Sequence, residues 1–350
     1  MISSKDEWDA ALLSVAQRDF YHSFDFHSLE AEKLQAVPRL FHFQDAHCNI
    51  LLPLLIRPIG DGQSQLMDAT SVYGYGGPLL AGQCSNSHSF QSELTDALRC
   101  VGVVSVFSRL HPLIDNDAIL AGLGSVADAG QTVSIDLGQS DDEQWSGYRK
   151  NLRRDVMALR NSDVHCESTD NSDDIREFAS LYNETMRRRG AASDYFYDEA
   201  YIRRLLAADN FDMHLFKCSY QGQMVCAGLF SYCEGIVQYH LSGTHSDFYH
   251  LAAMKLLLDH VRAWATQTGA MTFHLGGGVG GKDDNLFRFK KGFAKNVHRF
   301  RVWRWVLNKT VYNELCQQRD TVQPGSDNVT RDGDFFPYYR APICEAVHTP

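Results

Sequence analysis

The sequence predicts an α/β (α+β) fold built as two domains in tandem, and three observations carry that expectation. Segments with apolar residues at helical spacing alternate with short runs rich in Val, Ile, Leu and Phe. One order of segments, helices, then an antiparallel meander, then a helix and a strand, is met in both halves. At 350 residues the chain is long enough for two cores of ordinary size.

SSKDEWDAALLSVA opens with a serine cap candidate and predicts a first helix. RLFHFQDAHCNILLPLLIRPIG reads as a pair of strands joined by the turn QDAHC. LMDATSVYGYGGPLLAG reads as a strand ending in a Gly-Pro loop, SNSHSFQSELTDALRCVG as a helix, VVSVFSRL as a buried strand and QTVSIDL as another, closing the first unit near Leu137. Residues 140–160 read as a single helix, with Asp141, Asp142 and Glu143 in its first turn and arginines later, the polarity a helix dipole favours. DDIREFASLYNETMRRR and DEAYIRRLLAA are further helices. The stretch FDMHLFKCSYQGQMVCAGLFSYCEGIVQYHLSGT alternates and breaks at Gln221-Gly222 and Glu234-Gly235, which predicts a three-stranded meander. HLAAMKLLLDHVRAWATQTGA is an amphipathic helix stopped by Gly269, MTFHLGG a strand, and HRFRVWRWVL one more. Polar residues 317–334, with Pro324-Gly325, read as a flexible connection to FFPYYRAP at 335–342, whose aromatics should dock it on the body. The expected division is 1–139, 140–316, and a linker with docked tail at 317–350, each domain a mixed, largely antiparallel sheet flanked by helices.

The beginning MISSKDEWDAALL has acids where a signal peptide needs a basic and an apolar region, and no stretch approaches the ~20 apolar residues of a membrane helix. A cytoplasmic location is expected. Nine cysteines without CxxC pairs or close histidine partners predict reduced, structural thiols and no metal site. The net charge of −10 argues against broad nonspecific nucleic-acid binding, so DNA is not an expected partner, while a local basic groove stays open.

The most specific segment is HLGGGVGGKDDNLFRFKKGFAKN at 274–296. Its glycines suit a loop that meets a ligand or a strand closely. Phe287, Phe289 and Phe293 are expected to be buried while Arg288, Lys290 and Lys291 between them point elsewhere, so that apolar anchors hold cations in place for an anion or a developing oxyanion. Residues 148–160 carry Arg149, Lys150, Arg153 and Arg154 at helical spacing; such a run is most often a solvated face, and if it binds anything it binds phosphate. Arg187, Arg188 and Arg189 pass into Gly190 and then Tyr195 and Tyr197, a grouping that suits a nucleotide diphosphate.

Several stretches in one order carry a resemblance: VYGYGGPLL from Val72, SRLHPL from Ser108, WSGYRKNLRRDV from Trp145, LYNETMRRRGAASDYFY from Leu181, the 274–296 segment, and FFPYYRAP. With them the chain resembles the Fem-type aminoacyl and peptidyl transferases and the related Fem-like N-acetyltransferase (GNAT) proteins of bacterial polysaccharide and cell-wall pathways. The resemblance implies two tandem GNAT-like domains with an acceptor groove between or beside them, and an acyltransferase moving an aminoacyl or acyl group onto an amine of a nucleotide-sugar, glycan or cell-wall peptide precursor. The donor it implies is aminoacyl-tRNA, with acyl-CoA a possibility among the Fem-like relatives, and no tightly bound cofactor. Residues 242–254, SGTHSDFYHLAAM, lack the glycines with which GNAT domains usually cradle the CoA pyrophosphate, which counts against CoA held in the ordinary way. A basic surface would instead suit tRNA.

By the same resemblance Lys290 lies at the reacting centre, as a base if desolvated or an electrophile if cationic, with Arg109 as a second catalytic cation. Tyr73, Tyr75, Arg188, Tyr195, Tyr197, Asp283, Arg288 and Lys291 are the expected substrate contacts, and the basic run Arg149, Lys150, Arg153 and Arg154 is, from its charge, the expected contact to donor phosphate. Some Fem enzymes carry an acid after the Gly-Pro of the first loop; here Leu79, Leu80 and Ala81 follow, and Asp68 is a candidate substitute. A noncatalytic binding or assembly module of a polysaccharide pathway is the alternative reading.

Overall fold

The structure is a computed structural model that describes residues 1–60, 65–84, 87–322 and 335–342. It is an α/β protein of two compact units that are discontinuous in sequence. The first comprises Met1–Val15, Glu30–Asp128 and Arg301–Pro350; the second comprises Ala16–Leu29 and Ala129–Phe300. The contiguous division expected from the sequence differs in three segments: residues 129–139, expected to close the first domain, join the second because Thr132–Asp136 pairs with Thr272–Gly277. Ala16–Leu29 joins the second unit because Phe20, Tyr21 and Phe26 cluster around His240 and Phe211 there. The C-terminal segment joins the first because Val302–Val306 pairs with the strand that ends at Arg109.

In chain order the helices are α1 (Lys5–Leu12), α2 (Phe24–Leu34), α3 (Ser87–Cys100), α4 (Asp141–Gly147), α5 (Lys150–Arg160), α6 (Ser172–Arg188), α7 (Glu199–Leu206), α8 (Met254–Gln267), α9 (Asn285–Lys290) and α10 (Lys309–Val322). The strands are β1 (Val37–Gln44), β2 (Cys48–Pro58), β3 (Met67–Thr70), β4 (Leu79–Gly82), β5 (Val103–Arg109), β6 (Ser125–Asp136), β7 (Val164–Thr169), β8 (Asp212–Tyr220), β9 (Gln223–Cys233), β10 (Ile236–Thr244), β11 (Thr272–Gly277) and β12 (Asn296–Val306).

The first unit carries the strand order β1, β2, β3, β5, β12, with β4 on β2; among the described residues only β3 and β5 pair in parallel, and α3 lies between them in the chain. Phe90, Leu94 and Leu98 of α3 are buried against this sheet, as the helical spacing requires. The 335–342 segment docks here. The carboxylate of Asp68, which is buried, accepts from Arg57 at 2.8 Å, from Tyr339 at 3.3 Å and from Arg340, and Arg319 donates to the Tyr338 hydroxyl at 3.0 Å. Asp68 is therefore committed to holding the tail, not to a substrate. Residues 317–322 belong to α10, against the expected flexible connection, and 323–334 lie outside the described residues.

The second unit repeats the plan: β6, β11, β10, β9, β8, β7, with a single parallel pair, β10 and β11, connected by α8. The meander turns lie where expected, at Gln221-Gly222 and Glu234-Gly235, all four residues having positive φ. The single helix expected over 140–160 is two. Tyr148 breaks it: its ring is buried against Phe293 and its hydroxyl reaches Asp259 at 3.2 Å, while the Arg149 amide donates to the Gly292 carbonyl at 2.8 Å. Cys166 and Cys218, directly opposite on β7 and β8, form a disulfide, which corrects the expectation of reduced thiols at that pair. Among the described residues no helix is long and apolar enough to cross a membrane.

The glycine loop after β11 packs on the start of β6. At Gly281, φ is +76° and an added Cβ would lie 1.7 Å from the Ala129 carbonyl oxygen, whereas at Gly280, φ +60°, a Cβ would meet nothing within 4 Å. Gly281→Ala is therefore expected to cost about 3 kcal/mol or more and Gly280→Ala about 1 kcal/mol in denaturant unfolding. Equal costs would contradict this close approach.

Candidate functional site

The parallel ladder between β10 and β11 is short: Ile236, Val237 and Gln238 pair with Thr272, Phe273 and His274, and nothing beyond. The strands nevertheless run on to Thr244 and Gly277, so they part after Gln238 and His274. Bulges help them do so. The β9 ladder shifts register between Tyr239 and Leu241, and the β6 ladder between His274 and Gly276.

Lys290 occupies this parting. Its Nζ donates to the Gly277 carbonyl at the end of β11 at 2.8 Å and lies 5.4 Å from the centroid of the Tyr239 ring on β10. The Tyr239 hydroxyl is 2.5 Å from the Ser242 hydroxyl and 3.6 Å from the Met254 sulfur. Burial pushes the Lys290 amine down from its ordinary 10.5 to about 7; the carboxylate of Asp284 acts against that and the charge of Arg189 adds to it. Burial also raises Tyr239 to about 12.

Lys290 is placed by α9, a short helix that begins at Asp284. One carboxylate oxygen of Asp284 accepts from the Phe287 amide at 2.8 Å and the other from Val279 at 3.0 Å, tying the glycine loop to the helix. Burial disfavours the charged form of Asp284, but these backbone donors outweigh it and hold the carboxyl below its usual value. Phe287 and Phe293 are buried beneath. The expectation that Lys290 points outward between buried phenylalanines is corrected. A helical period, not an alternating one, carries the segment, so Lys290 turns inward while Arg288 and Lys291 stay exposed. Asp283 is paired with Arg288 at 3.0 Å on the surface.

The three arginines after α6's core turns are not equivalent. Arg188 donates to Glu184 at 2.9 Å and to the Thr244 carbonyl at 3.0 Å, and lies over Tyr249 at 4.7 Å. Arg189 caps the helix, is exposed, and has no side-chain partner among the described residues, while its charge acts on both Lys290 and Tyr239. Sequence reasoning named the run but chose Arg188 from it, because nothing in an Arg-Arg-Arg run marks which members stay unpaired. Tyr195 is half-buried, its carbonyl accepting from Tyr182 at 2.9 Å. Tyr197 is a core residue, stacked on Tyr201 at 4.2 Å, which corrects its expected place at a loop mouth.

On α5, Lys150 and Arg153 have no side-chain partner among the described residues, Arg154 pairs with Asp155 at 3.0 Å, and Arg149 precedes the helix, one Nη donating to the Arg288 carbonyl at 3.4 Å. Before α8, the loop folds into a 3-10 turn over Ser246–Leu251 followed by Ala252 at φ +53°, a left-handed position filled by alanine. Tyr73, Tyr75 and Arg109 belong to the first unit. The Arg109 guanidinium lies over Phe107 at 5.3 Å, and Tyr75 meets His111 ring to ring at 6.3 Å.

Residues 146–291 match the acetyltransferase (GNAT) domain family model. No curated protein matches the chain. Among solved structures the chain is similar to FemX, at 15% identity and a TM-score of 0.69 over 90% of this chain and 98% of that one. It is also similar to the C-terminal domain of a putative lysylphosphatidylglycerol synthetase from Agrobacterium fabrum, at 14% identity and a TM-score of 0.56 over 91% and 97%. A third is L-PGS from Bacillus licheniformis, at 15% and 0.56 over 88% and 93%. The chain thus carries a GNAT domain and has the fold of the Fem-like GNAT proteins.

Lys290 is expected to titrate near 7 in a heteronuclear NMR titration, and Arg189→Ala to move that midpoint upward; a midpoint above 10 would contradict the buried amine. Because the folded value lies below 10.5, the unfolded chain binds the proton more readily between about 7 and 10.5. Stability therefore rises with pH across that window, on the order of 5 kcal/mol in full, a rise that Lys290→Met removes.

Proposed function

We propose that the GNAT domain at residues 146–291 transfers an acyl or aminoacyl group from aminoacyl-tRNA or acyl-CoA to an amine of a nucleotide-sugar, glycan or cell-wall peptide precursor. The observation that carries the reading is Lys290, an amine poised near neutrality where β10 and β11 part. The acceptor amine attacks the carbonyl carbon of the donor, the tetrahedral intermediate collapses, and the ribose hydroxyl or thiol departs with a proton. A lysine close to its titration point takes the proton from the attacking amine and returns one to the leaving group. Desolvation favours this base role over a permanently cationic one.

An aminoacyl donor is the preferred reading. Ala252 and the 3-10 turn stand where a glycine cradle for pyrophosphate is usual, and the putative synthetase among the similar structures is named for a lysyl product. Lys150 and Arg153, with Arg149 beside them, are the proposed phosphate contacts, and Arg154 contributes through a weak surface pair. Arg188 and Tyr195 shape the substrate mouth next to Arg189. Exposed Arg288 and Lys291, and Asp283 through its pair with Arg288, are assigned to substrate by resemblance, as are Tyr73 and Tyr75 in the first unit, where Arg109 keeps its assignment as the second catalytic cation.

Incubating the purified protein with aminoacyl-tRNA or acyl-CoA and candidate amines, followed by mass spectrometry, is expected to reveal a new amide. Lys290→Ala should lower its formation by about 100-fold or more with circular dichroism unchanged. Full activity in that variant would refute the assignment.

A further inference from the structure

The first unit holds a cavity of about 630 Å³, within the roughly 300–1,000 Å³ of small-molecule sites. Leu66, Val104 and Leu307 supply apolar wall. Its charged lining is Arg99, in the last turn of α3, and Lys309, the first residue of α10. Among the described residues no acid lines it, in a chain whose net charge is −10.

Neither cation has an ion pair or side-chain hydrogen bond among the described residues. Lys309 also opens a helix whose first turn has no acid, where the dipole disfavours a cation. Two like charges on one concave wall are a favourable setting for an anion between them. The second unit offers a comparison: a cavity of about 620 Å³ contains Lys255, but there Asp155 pairs with it at 2.8 Å and Asp163 adds a second acid. One cavity neutralises its cation internally and the other does not.

We propose that the first unit's cavity binds an anionic amphiphile, its carboxylate or phosphate head held by Arg99 and Lys309 and its short apolar body laid on Leu66, Val104 and Leu307. The fork of Arg99 suits either head in a bidentate mode, and Lys309 adds a point charge. The proposal does not depend on the acyl transfer assigned to the second unit.

Calorimetric titration of the full chain with octanoate, octyl phosphate, inorganic phosphate and octanol tests it. Saturable one-to-one binding of octanoate or octyl phosphate is expected, the tighter of the two identifying the head. The double variant Arg99→Gln, Lys309→Gln should weaken it at least tenfold; both side chains are exposed, and thermal unfolding checks that the fold is kept. Absence of saturable binding, or binding unchanged in the double variant, would overturn the site. Octanol binding as tightly would overturn the anionic head, and inorganic phosphate binding as tightly would overturn the apolar body.

Discussion

A lysine amine taken out of water with one carbonyl as acceptor is the constraint on which the second unit turns. Removing an ammonium from solvent costs several kcal/mol, and one bond to Gly277 with the face of Tyr239 offsets only part of that. The amine responds by becoming easy to deprotonate. A group so costly for stability is well suited to proton transfer near neutral pH.

The surrounding structure serves to keep that amine where it is. Leu257, Leu258, Val261 and Ala265 of α8 and Phe273 and Leu275 of β11 form the core that fixes the two strands before they part. Tyr148 and Phe293 wedge the segment after α9 from beneath, and Asp284 sets the helix start by accepting from both the loop and the helix. The arginines divide along the same line. Arg262, nearly fully buried, holds Gln144 at 2.8 Å, Arg160 holds Asp259 at 2.6 Å, and Arg188 ties α6 to the end of β10. Arg189, Lys150 and Arg153 have no side-chain partner among the described residues.

Much of this was legible in the sequence. Alternation and Gln-Gly and Glu-Gly turns set out the meander, because side-chain period and positive-φ turn residues act locally. The helices α6 and α8 follow from their apolar spacing. What was not legible depends on tertiary packing. FRFKK alternates like a strand, yet Asp284 caps it as a helix and turns Lys290 inward; the cap residue was the available signal. Tyr148 breaks a helix only because Asp259 and Phe293 await it far along the chain. Asp68 could pass for a catalytic acid until Arg340 is found beside it.

The most direct measurement is the pH dependence of kcat/KM for amide formation in the wild type and in Arg189→Ala. The rate should rise through a midpoint near 7, the value at which burial leaves Lys290, and that midpoint should move upward when the Arg189 charge is removed. A profile without an inflection near 7, or one that Arg189→Ala leaves in place, would contradict a desolvated Lys290 as the proton-transferring group.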